Sequence, residues 1–146
     1  MKIEEIEQEI ITEFENFDDW MDKYNYIIDI GKSLPPIDDK YKTDSYVITG
    51  CQSKVWLHAS LENKKIFFEA DSDAIITKGI VGLLLRALSG QSPDDIINAK
   101  LKFIDIIGLR EHLSPTRSNG LASMIKQIKL YALAFKTKLA QNLSNT

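Results

Sequence analysis

The feature that most constrains this chain is a change of hydrophobic period partway along it. Val55, Leu57, Ala59 and Leu61 alternate with Lys54, Trp56, His58 and Ser60, and after the polar break Glu62-Asn63-Lys64-Lys65 the run Ile66 to Ala70 resumes in extended form. These two segments predict a β-hairpin. Tyr46-Val47-Ile48 is rich in β-formers and predicts a third short strand, separated from the hairpin by Thr49-Gly50-Cys51-Gln52-Ser53.

On both sides of the strands the period is helical. Ile3, Ile6, Ile10, Phe14 and Phe17 recur at spacings of three and four with Glu between them, which predicts an amphipathic helix over residues 3–16. Asp18 or Asp19 caps a second helix carrying Trp20, Tyr24, Ile27 and Ile28, ended by Gly31 and Leu34-Pro35-Pro36. Beyond the hairpin, Asp71-Ser72-Asp73 offers N-cap oxygens to a helix bearing Ile75, Ile76, Ile80, Leu83, Leu84, Ala87 and Leu88, with Gly90 as its stop. Ser92-Pro93 and Ser114-Pro115 each set a capping hydroxyl before a proline suited to the first helical position. The first opens a short helix, with another near Leu101 to Ile107. The second opens a long one to about Gln141, with Leu121, Met124, Ile125, Ile128, Tyr131, Ala132 and Phe135 on one face, and Ser144-Asn145-Thr146 fray. Strands grouped together rather than alternating with helices predict an α+β fold: a three-stranded antiparallel sheet packed with helices, in a single domain spanning 1–146.

A chain of 146 residues, 44% of them hydrophobic, can bury about two-thirds of its unfolded surface and needs no disulfide or structural metal. It has one cysteine, and MKIEEIEQEI is acidic with spaced apolar residues, unlike a secretory signal, so a reducing, cytoplasmic setting is expected. The longest strongly apolar run, Gly79 to Leu85, is far too short to cross a membrane. Charge is uneven: residues 1–44 carry thirteen acids and five bases, residues 112–146 five bases and no acid, within a net charge of −3. Lys126, Lys129, Lys136 and Lys138 lack the arginine clusters and stacking aromatics of a nucleic-acid surface; they read as a solvated face or a docking surface for a protein.

The chain has no phosphate-cradling GxxxxGK[ST], no GxGxxG, no GxSxG and no HExxH. Its whole supply of Cys and His is Cys51, His58 and His112, too sparse for a zinc or iron–sulfur site, so no metal is expected. Cys51 follows Gly50 and precedes Gln52 and Ser53, the composition of a turn-like, partly accessible loop. Locally it reads equally as a small buried hydrophobe or as a nucleophile.

Three segments carry a resemblance. They are Gly50-Cys51-Gln52-Ser53-Lys54-Val55-Trp56; Asp71-Ser72-Asp73-Ala74 leading through Lys78-Gly79 into an apolar helix; and His112-Leu113-Ser114-Pro115-Thr116-Arg117-Ser118-Asn119-Gly120-Leu121. Together with Trp20, Tyr24 to Gly31 and Leu34-Pro35, they resemble the SufE family of sulfur acceptors in iron–sulfur cluster assembly, whose fold is shared with IscU-type scaffolds. The tail after about Ala134 is longer than the resemblance leads one to expect.

The resemblance implies that the chain binds a SufS-type, pyridoxal-phosphate-dependent cysteine desulfurase and stimulates it. It would take persulfide sulfur onto Cys51 and pass it to an iron–sulfur scaffold, with no cofactor of its own. It is then a transfer partner rather than an enzyme, either a monomer or a homodimer. Gly50, Gln52, Ser53, Trp56, Asp73, His112 and Arg117 are the expected loop and partner-contact residues. Lys54, His58, His112 and Arg117 are candidates to activate the thiol if the fold brings them near. A persulfide on Cys51 is expected to shelter among apolar neighbours. Three other readings stay open: a cluster scaffold, which one cysteine supports only if chains pair; a Cys/His hydrolase with His58 or His112 as base; and a binding module with an inert Cys51.

Overall fold

A computed structural model describes residues 1–144 of the chain. The elements are α1 (Ile3–Phe14), α2 (Trp20–Ser33), two 3-10 turns (Asp39–Tyr41 and Asp44–Tyr46), β1 (Val55–Glu62), β2 (Lys65–Ser72), α3 (Ile75–Leu88), α4 (Pro93–Asn98), α5 (Phe103–Ile106), α6 (Leu109–His112) and α7 (Pro115–Ser144). This is the expected α+β class. The long helix runs past Gln141 to Ser144, and the fraying expected at Asn145 and Thr146 lies outside the described residues.

β1 and β2 form the antiparallel hairpin, with Val55 opposite Ser72 and Glu62 opposite Lys65. Its turn places Asn63 and Lys64 at φ 52° and 64°, the two positive values that match a two-residue turn to the right-handed twist of the strands. The alternation read from the sequence is the burial pattern: Val55, Leu57, Ile66, Phe68 and Ala70 face the core.

The third strand does not form. Asp44–Tyr46 is a 3-10 turn, and Gly50 bends the chain away at φ 92°, so only Val47 and Ile48 are extended between them. Val47 makes an isolated bridge to Trp56, and the Ile48 N–H donates to the Val55 carbonyl at 2.8 Å. The outer edge of β2 is covered instead by the chain leaving α3. Ile66 N–H donates to Gln91 O, Gly90 N–H to Ile66 O, and Phe68 N–H to Ser89 Oγ, at 2.9, 2.7 and 2.9 Å.

α3 is buried on most of its circumference, including Ile80, Val81, Leu83, Leu84, Ala87 and Leu88, and is the central helix of the core. α2 crosses it backbone to backbone. A Cβ on Gly31 would come within 2.8 Å of the Gly79 nitrogen, and one on Gly79 would collide with the Ile27 carbonyl oxygen. Gly31 is therefore a crossing residue inside α2 and not its stop; the helix continues to Ser33 and ends where Leu34 turns extended before Pro35. On the far side of the crossing, Arg86 of α3 forms ion pairs with Glu9 and Glu13 of α1, and the Tyr26 hydroxyl of α2 donates to the same Glu13 carboxylate. The Arg86 guanidinium holds the Glu13 carboxyl below the ordinary range.

α7 lays Leu121, Met124, Ile128 and Ala132 into the core, which fixes its N-terminal half beside the Gly50–Ser53 loop. Among the described residues no helix is long and apolar enough to cross a membrane.

Candidate functional site: the Cys51 loop

The loop from Thr49 to Lys54 is drawn together at its neck and held from below. Ile48 and Val55 close the neck through the bond given above. Beneath it, Asp73 Oδ1 accepts the Lys54 N–H at 3.0 Å, and the Asp73 N–H donates to Lys54 O at 3.2 Å. The Ser72 hydroxyl donates to Lys54 O at 2.9 Å and accepts the Ala74 N–H at 3.2 Å.

The expected helix-capping role of Asp71 and Asp73 is thus corrected. The N-cap of α3 is Ala74, with no side-chain cap; β2 runs on through Ser72, Asp73 turns its carboxylate to the Lys54 N–H, and Asp71 turns its own to Lys42 and Lys78. Asp71, 7% exposed, lies 3.4 Å from Lys42 Nζ and 3.3 Å from Lys78 Nζ. Burial pushes its carboxyl up, but the Ser72 N–H and the two ammonium groups outweigh that and hold it below the ordinary range.

The tip of the loop rests on α7. Gly50 adopts φ 92°, a region other residues enter at a cost, and a Cβ there would run into the Ser123 side chain. Cys51, half-buried, points its Sγ at the Gly120 carbonyl, 3.6 Å away, and Gly120 has no side chain to block the approach. Ser53 Oγ lies 3.3 Å from Thr77 Oγ1. A cleft of about 370 Å³ opens beside the thiol, with Gln52, Ser53, Asp73, Thr77, Thr116 and Arg117 around its polar side and Ala74, Ile80 and Met124 on its apolar side.

Burial pushes the Cys51 thiol up from its ordinary range. At neutral pH it is therefore protonated at rest, the opposite of a thiol activated in advance by a cation.

Of the expected site residues, the fold brings Gly50, Gln52, Ser53, Asp73 and Arg117 together at Cys51. Trp56 and the histidines stand elsewhere. Trp56 is on β1 opposite Asp71, with Lys42 Nζ 5.1 Å from its ring centre. His112 stacks on Trp20 with ring centres 3.8 Å apart, and its Nδ1 is 3.0 Å from Gly108 O. Its own carbonyl accepts the Tyr24 hydroxyl. His58 stacks on Tyr41 at 3.5 Å, with Nδ1 3.4 Å from Glu69 Oε1.

Neither histidine lines the cleft, so the hydrolase reading has no base at the thiol. His112 instead belongs to a clamp between α2 and α6 that sets where α7 begins; Ser118 Oγ on α7 donates to Arg110 O of α6 at 3.3 Å. Sequence reasoning missed Thr77 and Ser123. Thr77 was legible as the polar residue inside Ile75-Ile76-Thr77, whereas Ser123 is one more polar residue on a long helix. Among the described residues, no group of three or more His, Cys, Asp and Glu side chains is placed to hold a metal ion.

The class of this α+β domain follows from the family that matches residues 8–132, described as an Fe-S metabolism associated domain. The chain belongs to that family, SufE. It is 44% identical over 128 residues to an uncharacterized SufE-like protein of Rhizobium etli, covering 83% of this chain and 85% of that one. It is 34% identical over 127 residues to another from Synechocystis, covering 87% and 80%. Against SufE-like protein 1, chloroplastic/mitochondrial, of Arabidopsis thaliana it is 37% identical over 132 residues, 90% of this chain but 36% of the plant protein, so it spans about a third of that relative. The solution structure of a hypothetical protein from Thermus thermophilus shares the fold, with TM-score 0.75 and 20% identity, covering 90% of this chain and 96% of the other.

Proposed function

We propose that the chain is a sulfur acceptor and carrier: it takes persulfide sulfur from a pyridoxal-phosphate cysteine desulfurase onto Cys51, stimulates that enzyme, and hands the sulfur on for iron–sulfur cluster assembly. The observation that carries this reading is the half-buried Cys51 thiol at the mouth of a cleft, in a family tied to Fe-S metabolism.

The step balances without an oxidant. The Cys51 thiolate attacks the terminal sulfur of the donor's persulfide, and the donor's S–S bond breaks. The donor leaves as a thiolate that takes up the proton Cys51 released, and Cys51 becomes the persulfide. One thiol is sufficient, so the chain needs no triad, metal or cofactor of its own for this step. The raised thiol supports the same reading, because a protonated, half-covered Cys51 reacts slowly with stray electrophiles until a partner supplies the conditions for deprotonation. The apolar side of the cleft, Ile80 and Met124, is where the terminal sulfur would shelter. Gln52, Ser53, Asp73 and Arg117 shape that loop and its partner contact, whereas Trp56 and His112 act through the frame that holds it. The recipient is an iron–sulfur scaffold, and the setting is cytoplasmic.

Intact-mass spectrometry after incubation with a desulfurase, its pyridoxal phosphate and free cysteine tests the proposal. Wild type is expected to gain one sulfur atom that reductant removes, and Cys51→Ser none. A wild type that stays at its starting mass, with its thiol still alkylatable, overturns the reading.

A further inference from the structure

The outward face of α7 has no part in the reading above, and it is built unlike a solvated face. Opposite the buried stripe of Leu121, Met124, Ile128 and Ala132, the positions Gln127, Leu130, Ala134, Thr137 and Gln141 recur at spacings of three and four, Leu133 lies beside them, and none carries a charge. They run for about 21 Å along the helix. Leu130 and Leu133 are 47% and 52% exposed, adjacent on one strip. In a chain that is 27% charged, a solvated helix face is expected to present charges along its centre.

The charges that α7 itself brings to this face all have one sign. Lys126 stands at the strip's N-terminal end, one turn before Leu130, Lys129, Lys136 and Lys138 border it, and residues 112–146 contain no acid. Lys129 is engaged with the Ala99 carbonyl at 2.7 Å and Lys136 with Asp94 at 2.8 Å, while Lys126 and Lys138 have no ion-pair partner among the described residues. Most of the strip, from Leu133 on, also lies beyond the family match at residues 8–132. It starts at the candidate site: Ser123, one turn before Gln127, is the side chain on which Gly50 rests.

We infer that this face is a docking surface for an acidic amphipathic helix on the protein that delivers sulfur to Cys51. The partner's identity as the sulfur donor rests on the acceptor reading; the chemistry of the surface does not. An uncharged centre with small residues at Ala134 and Thr137 lets another helix approach closely, and cationic flanks are met by carboxylates at the bordering positions. A second copy of α7 would set lysines against lysines, which disfavours self-pairing through this face. Because the surface adjoins the loop, a partner seated on it has the Cys51 tip under its edge.

The test measures the affinity of the full chain for a SufS-type desulfurase with its pyridoxal phosphate bound. It compares wild type with Leu130→Ser/Leu133→Ser and, separately, with Lys126→Glu/Lys138→Glu. All four positions are exposed, so circular dichroism is expected to show native helix content. Each double variant is expected to raise Kd about tenfold or more, with the loss recovered by raising the desulfurase concentration. Wild-type Kd is expected to rise with salt. An unchanged Kd in both variants, or a wild type that does not bind, overturns the inference. A Kd that rises in the variants while Cys51 of the wild type gains no sulfur upholds the docking surface and sinks the acceptor reading.

Discussion

Glycine shapes both the α2–α3 crossing and the Cys51 loop, with opposite results. At the crossing, Gly31 and Gly79 bring two backbones into contact, so neither helix can move without opening a hole in the core. At the loop, Gly50 lets the chain turn onto Ser123, and the neighbouring thiol is then held by little more than a long contact with the Gly120 carbonyl. The same residue type fuses two elements in one place and leaves a reactive group lightly tethered in the other. The difference lies in what surrounds the missing Cβ: the crossing is buried among side chains that cannot yield, whereas the loop tip faces a cleft.

Gly79→Ala is the strongest way to break this contrast. Its methyl would meet the Ile27 carbonyl, so a loss of about 3 kcal/mol or more is expected in denaturant unfolding, or no folded protein at all. Asp73→Ala should act on the loop alone. Losing the acceptor for the Lys54 N–H is expected to cost about 1 kcal/mol locally, so Cys51 alkylation accelerates several-fold while the global midpoint barely moves. If that midpoint falls as far as in Gly79→Ala, the loop is not the lightly held region described here.

The pH dependence of alkylation sharpens the contrast further. Burial favours the neutral thiol, so its rate should climb through a midpoint above that of a free thiol, about 8.5. By linkage, the thiol's contribution to stability is fully present below the unfolded value and falls as pH rises through the folded one. That alkaline decline is expected to vanish in Cys51→Ser. The smallest effect tests glycine from the other side. Lys64 already holds φ 64°, so Lys64→Gly should relieve strain and raise the unfolding free energy slightly, by about 0.5 kcal/mol, read in denaturant unfolding.

The hairpin and the long helices were legible because each has a hydrophobic period that burial then obeys, as in Val55, Leu57, Ile66 and Phe68. The third strand misled because Tyr46-Val47-Ile48 has β-forming side chains but sits between a 3-10 turn and a left-handed glycine, and propensity says nothing of such neighbours. Gly31 misled in the reverse sense: a glycine before Pro35 reads as a stop, while its actual reason is a helix some fifty residues later in the chain. At the candidate site, Gly50, Gln52 and Ser53 were readable as Cys51's own neighbours in sequence. Arg117 came through the family resemblance. His112 was drawn in by the same resemblance, although its ring stacks on Trp20 and supports the frame rather than the thiol. Asp73 was noticed for the right position and the wrong duty, since a cap and a loop tether use the same carboxylate oxygens, while Asp71 holds Lys42 and Lys78 instead of a helix end.

A two-stranded sheet is nearly all edge, and exposed edges recruit strands from other molecules. In this chain each edge is engaged along part of its length. Val47 and the Tyr131 hydroxyl, which donates to the Leu57 carbonyl at 3.3 Å, occupy the outer side of β1; Ser89, Gly90 and Gln91 occupy that of β2. An incoming strand would have to displace several short, unrelated segments at once. The hairpin beside the reactive loop thus offers an incoming strand no full-length edge to pair with.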